Sequence, residues 1–120
     1  MKISILLPYK ENFTPEYAGA VSLFVNDTAQ HSKYKKNITV FGKTNFKKRL
    51  QLNYINLKNK SFFEISKSKS YVNEFIKIES LNKSDLIEIH NRPQYAFFIN
   101  KKCATKIVFY FHNDPLDMQG

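Results

Sequence analysis

Short apolar runs alternate along this chain with longer segments of helical spacing. "ISILL" (3–7) and "ITVFG" (38–42) are continuous apolar runs, each broken by one hydroxyl residue. "LNYINL" (52–57) alternates, with Leu52, Tyr54 and Leu57 as its apolar positions. "DLIEIH" (85–90) sets Leu86 with Glu88 on one side and Ile87 with Ile89 on the other, and "KIVFYFH" (106–112) is nearly all apolar or aromatic. Runs apolar on both sides suit strands of a parallel sheet covered by helices on its two faces.

The intervening segments read as helices. In "PEYAGAVSLFVNDTAQHSKY", Tyr17, Ala20, Val21, Phe24, Val25 and Thr28 form one stripe at helical spacing. Thr14 before Pro15 is one possible start, as cap and first position. Gly19 favours a start nearer residue 19, with 8–18 as a loop. In "KSYVNEFIKIESLNKSD", Tyr71, Phe75 and Ile78 share a face, with Val72 and Ile76 beside it. "PQYAFFINKKCA" reads as a short helix beginning at Pro93, while 43–51 and 58–70 read as loops or irregular segments.

Strand alternating with helix predicts an α/β domain with a Rossmann-like parallel sheet, and right-handed crossovers favour the strand order 3-2-1-4-5. In that order the first and fourth strands are neighbours whose following loops diverge, and ligands bind in the gap they leave. Residues 8–19 and His90-Asn91-Arg92-Pro93 would line that gap, with His112 one strand away.

Composition agrees with a single domain. The 120 residues are 42% apolar and 15% aromatic, with three Gly and four Pro. No apolar run approaches the ~20 residues of a membrane-spanning helix. "MKISILLP" is too short for a secretory signal and reads as the first strand. Cys103 is the only cysteine, so the chain has no internal disulfide, which fits a reducing compartment. The net charge is +9, almost all from Lys, since Arg49 and Arg92 are the only arginines. Abundant Lys, Asn, Ile, Phe and Tyr are what an AT-rich coding sequence gives. Clustering is not: between Lys33 and Lys69 there are eleven Lys or Arg and one acid, Glu64. That segment suits an anionic surface such as phospholipid.

Three places carry candidate chemistry. A glycine opening a helix, as at Gly19, lets main-chain N–H groups approach a phosphate; the same glycine also suits a plain turn. The dinucleotide and P-loop signatures are absent. "HNRP" at 90–93 sets His90, Asn91 and Arg92 at a strand end. Arg92 stands out in a lysine-rich chain because its planar fork matches phosphate or carboxylate, while Asn91 could equally cap the helix at Pro93. "HNDP" at 112–115 repeats the arrangement with His112, Asn113 and Asp114. His90, His112 and Asp114 show no metal-ligand spacing, so no metal is expected. Cys103 falls on or beside a helix, away from the strand tips, and does not suit a Cys–His nucleophile. A phosphorelay receiver needs an acidic cluster that the first and third strand ends lack.

"DLIEIHNRPQYAFFI" and "KIVFYFHNDPLDMQG" resemble the N-terminal half of family 4 glycosyltransferases of the GT-B fold, especially bacterial enzymes of surface polysaccharide biosynthesis. "MKISILLP" with "AGAVSLFVNDTAQ" resembles their first strand, glycine loop and first helix. The resemblance spans the chain and is most specific over 85–120; nothing in 43–70 carries it. Two departures stand out. The glycine loop, usually Gly-Gly-Ala, is Ala18-Gly19-Ala20, and the acidic motif expected in a second half has no counterpart.

The resemblance implies a partial acceptor-binding domain over 1–120, with the C-terminal nucleotide-sugar domain absent. It implies a retaining, hexosyltransferase-type enzyme when full length, with this chain alone inactive. The substrates would be a nucleotide-sugar and a glycan or lipid-linked acceptor. No cofactor or metal is expected, and no nucleic acid as partner. The expected location is cytoplasmic, peripheral on the inner face of the cell membrane. Its implied roles are His112 beside the transferred sugar, Gly19 beside the donor diphosphate, and His90, Asn91, Arg92, Asn113 and Asp114 along the cleft. The competing expectation is a non-catalytic basic α/β module that binds RNA or anionic lipid. Most of the aromatics that could stack on bases lie in apparent core runs.

Overall fold

The computed structural model describes residues 1–58 and 64–112. Five strands form one all-parallel sheet: β1 (Ile3–Leu6), β2 (Ile38–Gly42), β3 (Asn53–Asn56), β4 (Leu86–His90) and β5 (Lys106–Tyr110). Three α-helices flank it: α1 (Ala20–Gln30), α2 (Glu64–Leu81) and α3 (Pro93–Lys102). The strand order is β3-β2-β1-β4-β5, as the alternating pattern predicts.

β1 is central, and every one of its residues is buried. Ile3 pairs with Ile38 on one side and Leu86 on the other; Leu6 pairs with Phe41 and Ile89. Alternate side chains enter two separate cores. Ile3, Ile5, Ile38 and Val40 pack with Phe13 and with Val21, Val25 and Ala29 of α1. Leu6, Phe41, Ile87 and Ile89 pack with Tyr71, Val72, Phe75 and Ile76 of α2 and with Tyr95 and Ile99 of α3. Each buried Ile, Leu, Val or Phe contributes roughly 1.5–3 kcal/mol. Tyr71, fully buried, also donates its hydroxyl to the Leu7 carbonyl at 2.6 Å, which fastens α2 beneath the carboxyl end of β1.

Four expectations change. The segment 58–70 is not all irregular, because α2 already runs from Glu64. Its stretch from Lys67 to Ser70 faces outward or is only half buried, so no apolar stripe announces the helix there. The buried stripe of α1 is Val21, Ser22, Val25 and Ala29. Tyr17 precedes the helix and is exposed, and Phe24 and Thr28 lie on the stripe's margin. The outer strands are not buried on both faces: β3 is largely exposed, and β5 leaves Lys106 and Tyr110 open to solvent. Apolar runs do not report that α1, alone among the three helices, contributes to the core on its side. Finally, the inward residue of α2 near its end is Glu79, 2% exposed, while Ile78 is only partly buried.

Glu79 is buried because it has partners. Its Oε1 accepts from the Ser84 N–H (2.7 Å) and from the Thr105 hydroxyl (3.2 Å), and its Oε2 accepts from the Ser84 hydroxyl (2.8 Å). The Ser84 hydroxyl also meets that of Ser4 on β1. The network ties the starts of β1, β4 and β5 to α2. Glu79→Ala leaves these donors without acceptors and should lower unfolding free energy by about 2–3 kcal/mol. Ile78→Ala should cost clearly less. Urea denaturation of the two variants checks the ranking, and an equal or smaller loss for Glu79→Ala would refute it.

Candidate functional site

The site forms where the loops after β1 and β4 part. α1 begins at Gly19, which caps the helix with ordinary extended backbone (φ −72°, ψ 166°), so its conformation does not require glycine. A Cβ there would meet the Glu11 carboxylate, the far end of a flexible side chain, which would have to shift to make room. Glu11 reaches back along its loop and accepts the Ser22 N–H at 3.1 Å. It thereby satisfies a main-chain donor in the first turn of α1, at the positive end of the helix dipole. The place proposed for a phosphate beside Gly19 holds the chain's own carboxylate.

The second half of the site comes from β4 and β5. His90 ends β4 fully buried, and its ring stacks on Tyr110 (centroids 5.0 Å apart, planes 9° apart). Asn91 follows with φ 56°, a left-handed conformation that Asn tolerates. This bend turns the chain sharply toward α3. The Asn91 side chain does not cap that helix. Arg92 is the cap residue, without a side-chain cap bond. Asn91 instead clamps the neighbouring strand: its N–H donates to the Tyr110 carbonyl (3.0 Å) and its Oδ1 accepts the His112 N–H (2.7 Å).

The clamp sets His112 against His90. Nδ1 of His90 and Nε2 of His112 share a hydrogen bond of 2.6 Å, and the rings stack at 4.9 Å. Phe24 closes the group from α1, edge-on to His112 at 4.7 Å. The other nitrogen of His90, Nε2, is buried without a hydrogen-bond partner; Oε2 of Glu88 stands 3.6 Å away, slightly too far. Burial, and secondarily the repulsion of a charged His90, lower the His112 pKa from its ordinary value, while Glu11 pulls it back up. Glu11 thus bonds the helix terminus and also acts on His112, the ring that Phe24 of α1 touches.

The structure does not bring Arg92 into this group. Arg92 is exposed, and its Nη1 donates to the adjacent Asn91 carbonyl at 2.7 Å. Asn113 and Asp114 lie outside the described residues. Among the described residues no group of three His, Cys, Asp or Glu is placed to hold a metal ion, and no helix is long and apolar enough to cross a membrane. Cys103 caps the end of α3, and its thiol pKa is raised, by burial first, which disfavours a thiolate. Glu11 and Tyr110 are not legible as site residues in the sequence, and Phe24 reads there only as part of the α1 stripe. Glu11 lies eight positions before Gly19 in an irregular loop, where no spacing rule connects the two.

No family model matches the chain, and no curated protein or solved structure does either.

His112 titrates below the usual ~6.5 of histidine on this account. The unfolded chain binds the proton more readily, so this residue's contribution to stability is present above pH ~6.5 and is lost as pH falls through its depressed folded value. Asn91→Gly keeps the left-handed backbone accessible and deletes only the amide clamp. NMR titration of the imidazoles should then show His112 moving up toward 6.5, with a shallower acid loss of stability. An unmoved midpoint would show that the clamp does not place the ring.

Proposed function

We propose that this domain is the acceptor-side half of a retaining glycosyltransferase, which moves a sugar from a nucleotide-sugar to a glycan or lipid-linked acceptor. The observation that supports it best is that His112, at the carboxyl edge of a parallel sheet, lies against Phe24 of α1, while Glu11 bonds the first turn of that helix and acts on the same imidazole. The sequence resemblance over 85–120 points the same way.

Sugar transfer breaks the bond between the anomeric carbon and the diphosphate, and negative charge grows on the departing group. Donors already oriented toward that charge lower the barrier most. The first-turn N–H groups of α1 are such donors, once Glu11 swings aside. Gly19 leaves room for either anion in turn. His112, its pKa lowered by burial and by His90, offers a hydrogen bond to a sugar hydroxyl rather than a charge. Its tie to His90 and its contact with Phe24 hold the ring in place. A companion domain would hold the base and ribose, leaving the diphosphate and sugar to meet this one, and the basic segment between Lys33 and Lys69 would bring the enzyme to an anionic membrane on the cytoplasmic side.

The test uses amide NMR of the chain with uridine diphosphate glucose and guanosine diphosphate mannose as probes. Shifts at Gly19–Ser22 and at His112 are expected. Glu11→Gln removes the competing charge and should tighten binding about two- to fivefold, matching the ~0.3–1 kcal/mol of an anion at a helix terminus. No shift at these residues in either protein would defeat the proposal. If salt-sensitive binding to RNA or to anionic vesicles appeared instead, the basic-module reading would replace it.

A further inference from the structure

We propose that a second pocket on the same edge binds a sugar carrying a phosphate or carboxylate, and that this anionic sugar is the unit recognised in the acceptor. The pocket deepens the reading above, and it rests on that reading only for the ligand's role as acceptor.

The pocket lies between the loops after β1 and β2. Its volume is about 410 Å³, within the ~300–1,000 Å³ of ligand sites. Among the described residues, Lys10 and Lys43 are the charged residues of its wall, and no carboxylate lines it. Glu11, next to Lys10 in sequence, is turned toward α1 instead, with its carboxylate on the Ser22 N–H. Asn12, Thr44 and Asn45 add polar groups, and Tyr9 and Phe46 add aromatic surface. Two point charges, amides and ring faces fit a pyranose that bears one anionic substituent. The amides suit its hydroxyls, and the rings suit its C–H face.

The walls are braced before any ligand arrives. Thr44 is almost fully buried, and its hydroxyl donates to Asn12 Oδ1 at 2.8 Å, joining the two loops. The Thr44 N–H donates to Asn56 Oδ1 (2.9 Å), which also accepts the Tyr54 hydroxyl (2.8 Å). The Phe46 N–H donates to the Thr44 hydroxyl at 3.2 Å. Such bracing lowers the ordering cost of binding. Lys10 also holds φ at 69°, a left-handed conformation that lysine rarely adopts. Residues kept in that region by their surroundings cluster at binding sites.

The experiment is an amide NMR titration of the 120-residue chain with glucose 6-phosphate, glucuronate, glucose and inorganic phosphate. Saturable shifts at Lys43–Phe46 are expected with either anionic sugar, and which of the two binds more tightly tells phosphate from carboxylate. Glucose should bind about tenfold more weakly, and Lys43→Gln should weaken the anionic sugars about tenfold, roughly one good charged contact. Lys10→Gln should act in the same direction, with thermal melts unchanged for both variants. Three results would overturn the proposal: no shift at Lys43–Phe46, equal binding of glucose, or non-saturating shifts spread over lysines elsewhere. The nucleotide-sugar probes report separately at Gly19–Ser22 and His112. Failure there with success here removes the transferase reading and leaves the pocket; the reverse removes the pocket alone.

Discussion

The arrangement depends on β1 being hydrogen-bonded in parallel on both sides, to β2 and to β4. Parallel pairing sends the carboxyl ends of all five strands to one edge. The chain then leaves β1 toward α1 on one face and leaves β4 toward α3 on the other. The loops splay, and the space between them stays open. Lys10 and Asn91, the positive-φ residues among those described, lie in these two loops, one after β1 and one after β4. The main chain bends hardest where the sheet's topology asks it to divide.

Charge along that edge is segregated despite the chain's net +9. Over β1 and β2 the wall carries Lys10 and Lys43. Over β4 and β5 lie paired imidazoles, with carboxylates near each: Glu88 beside His90, Glu11 acting on His112. Glu11 stands at the boundary, on the helix terminus. A free anion would meet cationic side chains at one end of the edge and, in the middle, a carboxylate already on the helix terminus. On the proposed reading, arrival of the donor and release of Glu11 are one event, because both anions compete for the same N–H groups.

Much of the fold is legible in the sequence because strand runs and helix stripes are periodic. The 3-2-1-4-5 order follows from alternation and handedness, and the order in turn places His90 and His112 on adjacent strand tips. What escapes the sequence is whatever depends on side chains reaching across irregular backbone. Glu11 meets the α1 terminus through a loop with no period. Asn91, two residues before Pro93, has the composition of a cap, and only the register of β4 against β5 shows that it bonds to His112 instead. Glu79 interrupts an apolar stripe in sequence, yet it is the inward residue, because three hydroxyl or N–H donors wait for it. The openness of β5 among the described residues is illegible for a different reason: a run of apolar residues records what a strand can bury, not what lies against it.

The Ser4–Ser84–Glu79–Thr105 network stands at the amino ends of the strands, across the sheet from every residue proposed to meet a ligand. Rigidity and recognition are therefore assigned to opposite margins. Loops on the recognition margin can drift in length and residue type over generations while the anchoring margin keeps the strands in register. A scaffold divided in this way can change its specificity without first losing its ability to fold.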